Sequence, residues 1–180
     1  MIQRIQTIWL FLAACCMAMC FLSPAAQYTL QDEALGQTTR AQLDLLAKDN
    51  PAMLDQIAAG EPVVDFGQKA SGFQTWPLIA LAVIVMVVAV ASIFMFKNRV
   101  RQARVVMVGF VLNLAYVFLL FFWAVDAYAD TVKNYMHLND IAVTWTVGAY
   151  APIASLLLLF LANRAIRRDE AKVRAADRLR

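Results

Sequence analysis

WPLIALAVIVMVVAVASIFMF, residues 76–96, runs through twenty-one positions without a charged side chain. A helix rises roughly 1.5 Å per residue and a bilayer core is about 30 Å thick, so about 20 such residues cross it. Hydrocarbon offers a backbone amide no partner, which leaves helices and closed barrels as the spanning structures. A barrel strand would alternate polarity over about ten residues. This run is apolar on every side and reads as a transmembrane helix.

Three further uncharged windows accompany it: Ile5 to Leu22, Val105 to Val125 and Ile141 to Ala162. The chain of 180 residues is 62% hydrophobic and 16% charged, against about half and a quarter in soluble domains. The sequence therefore predicts an all-α membrane protein, a four-transmembrane-helix bundle with spans near 5–22, 76–96, 105–125 and 141–162. A small extracytoplasmic segment, 23–75, joins the first two helices, and 163–180 forms a cytoplasmic basic helix.

Sidedness follows from lysine and arginine beside the spans, because basic residues resist translocation. Arg4, Lys97, Arg99, Arg101, Arg104 and the seven basic residues from Arg164 to Arg180 make twelve on one side, with three acids; the other side has four basic residues and ten acids. The first side is expected in the cytoplasm, with both termini there. The formal charge of +3 thus sums two surfaces that share no compartment, and no specific nucleic-acid partner is expected. Trp76, Trp123, Tyr128 and Trp145 fall at the outer ends of their spans, where amphipathic rings favour the headgroup layer.

The first span also has signal-peptide features: Arg4 ahead of the apolar run, Ser23-Pro24-Ala25-Ala26 behind it, and Leu12-Ala13-Ala14-Cys15 in the manner of a lipoprotein cleavage box. The run is longer than an ordinary signal core, and Cys16 to Leu22 continues it, so an uncleaved helix is expected. In 23–75, Tyr28-Thr29-Leu30 and Val63 to Gly67 have strand character. Thr38-Thr39 precede a partly helical pattern through Leu43, Leu46, Met53, Leu54 and Ile57, with Gly60 as a stop. Asp126 to Asp140 reads as an acidic connection between the third and fourth spans.

Candidate chemistry is sparse. Cys15, Cys16 and Cys20 are the only cysteines. They lack the C-x-x-C spacing of a membrane thiol oxidoreductase, whereas buried cysteine commonly packs as a small hydrophobe. His137 near Asp130 and Asp140 falls short of the three or four ligands of a zinc site, so no metal or cofactor is expected. No enzyme constellation is legible. Asn113, deep in the third span, reads as an interhelical polar contact, with a cavity for a small molecule or lipid as the alternative. The spans hold no Asp, Glu, Lys or Arg of the kind that marks ion and proton pathways.

The tail carries the most pattern. At about 100° per residue, Arg164, Arg167, Arg168, Arg174 and Arg178 share one arc, while Asp169, Glu170 and Asp177 lie opposite with Ile166 and Val173. One reading is a solvated positive-inside anchor. The other is a docking helix whose arginines meet lipid phosphate or another polyanion and whose Ile166/Val173 seam meets a partner. Membrane lipid and a protein on the cytoplasmic face are the expected partners, for a scaffold or accessory subunit without enzymatic activity.

Met1 to Gln6, Phe96-Lys97-Asn98-Arg99 with Gln102, and Leu161 to Glu170 running on through Val173-Arg174 and Asp177 to Arg180 together resemble the bacterial integral membrane proteins grouped as domain of unknown function family 4293. The resemblance covers the whole chain, and Ala175-Ala176 departs from it where a serine is expected nearby. It implies a four-span inner-membrane protein associated with Bacteroidetes-type bacteria. It supplies no catalytic residue, and it places the working surface on the cytoplasmic side.

Overall fold

The structure is a computed structural model and describes residues 3–32, 37–43, 45, 75–96, 98–136 and 141–178. Lys97, His137 and Asp140, the Val63 to Gly67 stretch and the residues from Leu46 to Gly60 lie outside them. The elements are α1 (Gln3–Met19), β1 (Ala26–Asp32), β2 (Gln37–Leu43), α2 (Trp76–Phe94), α3 (Arg99–Leu119), a π-helical turn (Leu120–Ala124), α4 (Val125–Met136), β3 (Ile141–Trp145) and α5 (Val147–Arg178). Three helical stretches are long and apolar enough to cross a membrane: Trp76–Phe94, Arg99–Asp130 and Val147–Val173. Ile5–Met19 is a shorter apolar helix.

The chain divides into two compact units. The first comprises Met1–Met19, Ala80–Val117 and Ala151–Arg180. Each of its helices buries a narrow stripe at spacings of three and four residues, the period of one helix face. In α1 the stripe is Gln6, Leu10, Ala13 and Met17; in α2 it is Ala82, Val85, Ala89 and Ser92. In α3 it is Gln102, Val106, Gly109, Asn113 and Tyr116, and in α5 it is Ser155, Leu159, Ala162, Ile166 and Asp169. Small residues recur in these stripes because, between helices surrounded by lipid, attraction comes from close backbone approach and dispersion contacts. Gly109 shows the tightness: a methyl group there would lie 3.0 Å from Val88 Cγ1. The opposite faces carry exposed Phe11, Val87, Val108, Leu114, Leu157 and Phe160, an outward apolar surface far beyond what water-soluble monomers present.

The second unit comprises Cys20–Ile79 and Phe118–Tyr150, and it corrects the all-α expectation. Its sheet has the order β2-β1-β3, with both pairings antiparallel. Tyr28-Thr29-Leu30 lies within β1, opposite Ala41-Arg40-Thr39 of β2 and Val143-Ala142-Ile141 of β3. Thr38-Thr39 therefore belong to a strand and do not start a helix. The segment 141–145, read as the beginning of a transmembrane helix, is also a strand. Four of its five residues, Ile141, Val143, Thr144 and Trp145, favour a pleated surface, and β1 pairs with the backbone along its inner edge. The fourth apolar helix begins only at Val147, after Thr146 donates its hydroxyl to the Pro24 carbonyl. Gly148 is required at that approach, since a Cβ there would stand 2.4 Å from the Pro24 carbonyl oxygen.

The connection expected from Asp126 onward is helical to Met136. It continues α3 through the π turn, in which Phe121 packs on Trp145 at 4.7 Å between centroids. Trp76, Trp123 and Trp145 are exposed, but Tyr128 is only 5% exposed. Its ring meets Tyr28 at 5.0 Å and 46°, so it is a packing residue of the sheet and not an interfacial anchor.

Candidate interaction surface at the basic end

The start of α1, the end of α2, the start of α3 and the C-terminal half of α5 meet at one end of the first unit. Gln6 Nε2 donates to Asp169 Oδ2 there, tying α1 to α5. Gln102 Nε2 donates to the Ser92 carbonyl at 2.9 Å, and the Ser92 hydroxyl donates to the Val88 carbonyl at 2.7 Å, tying α3 to α2. These amides, with the buried Asp169 carboxylate, form a polar layer beneath the charged surface. Deeper in the unit, Asn163 Nδ2 donates to Met107 Sδ at 3.4 Å and the Ser155 hydroxyl to the Ala13 carbonyl at 3.1 Å.

Sequence reading singled out the arginines above this layer and missed the layer itself. Gln6 is the second residue of the first apolar window and Gln102 stands three before the third, at window edges where polar residues are ordinary. The signal lay in spacing: Asp169 follows Ile166 by three residues and precedes Val173 by four, on the face away from the arginine arc.

Arg164, Arg167 and Arg168 are exposed along α5, as are Ala171 and Ala175 on the same arc. The side chains of Arg4, Arg174 and Arg178 fall outside the described set. The opposite seam is divided. Ile166 is fully buried and Asp169 nearly so, and Gln6 of α1 bonds to the Asp169 carboxylate. Ile166 is therefore spent internally and unavailable to a partner, contrary to its sequence reading, while Val173 remains 45% exposed.

Val173 and Glu170 line a groove of about 610 Å³ with Arg99, Arg101 and Arg104 of α3. Arg101 and Arg104 are exposed and Arg99 is half-buried. The first turn of α3 forms the floor, and the Asn98 carbonyl opens the helix by accepting from the Gln102 amide at 2.9 Å. A second groove of about 600 Å³ shares Arg99 and is lined by Ile8 of α1 and by Ile93, Phe94 and Phe96 at the end of α2. The structure thus brings Arg99, Arg101 and Arg104 to one groove with the acidic side of α5, while Arg164, Arg167 and Arg168 form a separate outward row.

Asn113 lies away from this end. It is fully buried and donates from Nδ2 to the Pro152 carbonyl of α5 at 3.2 Å. Its Oδ1 has no donor among the described residues.

Helices long and apolar enough to cross a membrane, with a cluster of cationic side chains at one end, are the features of a membrane-type helical protein. The chain belongs to the family described as domain of unknown function (DUF4293), whose model matches residues 2–179. No curated protein matches it.

Proposed function

We propose that the chain is a non-enzymatic scaffold or accessory subunit of the bacterial inner membrane, with four spans, both termini in the cytoplasm, and a cationic face that docks an anionic protein. The observation that carries this reading is the division of α5 beyond its apolar stretch. One face packs into the protein through Ile166 and Asp169, while Arg164, Arg167 and Arg168 stand outward. Arg174 and Arg178 follow at helical spacing. Anchoring alone requires basic residues near the span ends but no order among them. A helix held in one rotation presents its arginines as a fixed row.

Lysine substitution separates the two roles. It retains the charge that sets orientation but loses the planar fork with which arginine grips carboxylates. Replacing Arg167, Arg168, Arg174 and Arg178 together by lysine is expected to leave insertion and abundance unchanged and to abolish co-purification of a stoichiometric partner in mild detergent. A quadruple-lysine protein that retains its partner and supports growth like the parent would reduce the row to a topology signal.

A second reading, a carrier of a small molecule or lipid with a cavity around Asn113, draws support from one observation. Asn113 Oδ1 is a buried acceptor without a donor among the described residues, and buried acceptors are usually satisfied by protein or water. The substitution that tests this reading is considered at the residue scale below.

A further inference from the structure

We propose that the paired grooves at the start of α3 seat one anionic phospholipid, its phosphate on Arg99, Arg101 and Arg104 and its acyl chain over Ile8, Ile93, Phe94 and Phe96. The inference rests on the membrane disposition proposed above and is independent of the protein-docking role of α5.

Three features fix the occupant. First, the polar groove brings three guanidinium groups together against one carboxylate, Glu170, an excess of two positive charges that complements an anionic headgroup. The first residues of α3, Arg99 to Arg101, line the same groove, so the N-terminus of a 21-residue helix adds positive potential there. Second, Arg99 lines both grooves. A molecule held by its guanidinium therefore reaches a groove with two further arginines and a groove lined by Ile8, Ile93, Phe94 and Phe96, as the head and tail of a phospholipid require. Third, Phe94 is 75%, Phe96 53% and Ile8 54% exposed, beside a polar layer whose Gln102 amide is already committed to Ser92. A free phosphate would leave these apolar side chains uncovered; an acyl chain covers them.

The test uses the full chain extracted from membranes in mild detergent. Native mass spectrometry follows exchange against equal amounts of phosphatidylglycerol and phosphatidylcholine. The expected result is one phosphatidylglycerol retained after the remaining lipid is stripped. The pair Arg101→Gln and Arg104→Gln, both at exposed positions, should weaken retention by about fivefold for each arginine removed. Phe94→Ala with Phe96→Ala should weaken it without changing the headgroup preference. Arg164→Gln with Arg167→Gln should leave it as in the parent. Equal retention of phosphatidylcholine, indifference to the Arg101/Arg104 pair, or equally effective competition by soluble glycerol phosphate would each overturn the lipid seat. Recovery of the chain in the soluble fraction without detergent would overturn the membrane disposition itself, a separate failure seen before any lipid is added.

Discussion

At Asn113 a single amide side chain is wholly enclosed, and the fold uses only its donor half, toward the Pro152 carbonyl. Interhelical hydrogen bonds in membranes contribute roughly 0.6 to 2 kcal/mol. Asn113→Leu should therefore shift unfolding in detergent by no more than about 2 kcal/mol and leave partner binding intact. Loss of function at unchanged abundance and stability would favour the cavity reading instead. Tyr28 presents the opposite balance, because its hydroxyl is satisfied by the Val125 carbonyl at 3.0 Å. Burial, then Tyr128 and then Asp126, push its pKa above the ordinary 10.0. The fold thus prefers the neutral phenol. The resulting stability is complete below the ordinary value and is lost as pH rises from there toward the folded value. Tyr28→Phe should cost about 1 kcal/mol at neutral pH. It should also flatten the alkaline loss of stability, read by thermal unfolding against tyrosinate absorbance; an unchanged alkaline profile would show that another group sets it.

At the scale of elements, the π turn Leu120–Ala124 separates two α-helical stretches whose buried faces must both be satisfied. Upstream the stripe includes Tyr116 and Leu120; downstream it includes Ala124 and Tyr128. A π turn carries one residue more than the regular helix. Removing Phe122, which is 69% exposed, should let the segment close as a continuous α-helix with Tyr128 still against Tyr28. Removing Leu114, which is 49% exposed, would turn Tyr116 and Leu120 by about 100° off the buried stripe. The expected outcome in detergent chromatography is a folded, monodisperse Phe122 deletion and an aggregated or absent Leu114 deletion. Equal tolerance of the two would deny the turn any role in phasing the stripe. The sheet has a different logic. β3 is rich in β-branched and aromatic residues, yet it was legible only as part of an apolar run, because β1, its partner, lies far away in sequence. Tyr28-Thr29-Leu30 was legible as a strand because polar neighbours reveal the alternation that an apolar stretch conceals.

At the scale of the whole molecule, charge rather than shape is expected to set orientation. Twelve basic residues on one side of the apolar windows face four on the other, and the difference should outweigh any single loop. A reporter fused after Arg180 is expected to read cytoplasmic and one inserted near Gly60 external. An external reading at Arg180 would reverse the proposed orientation and remove the arginine row from the compartment of its partner.

The run from Trp76 to Phe96 and its three companions were enough to place the apolar helices, apart from the strand at 141–145, since hydrocarbon thickness and backbone desolvation act on length and composition alone. The arc of Arg164, Arg167 and Arg168 was legible for the same reason, because helical periodicity depends only on spacing. Which face of each apolar helix packs inward was not legible, because in lipid both faces are equally apolar and hydrophobicity no longer distinguishes them. Only the fold decided that Gln6 meets Asp169, that Asn113 meets Pro152, that Ile166 is buried and that Ile141 to Trp145 pairs with β1. Each depends on a partner distant in sequence whose close approach is set by small residues and backbone hydrogen bonds.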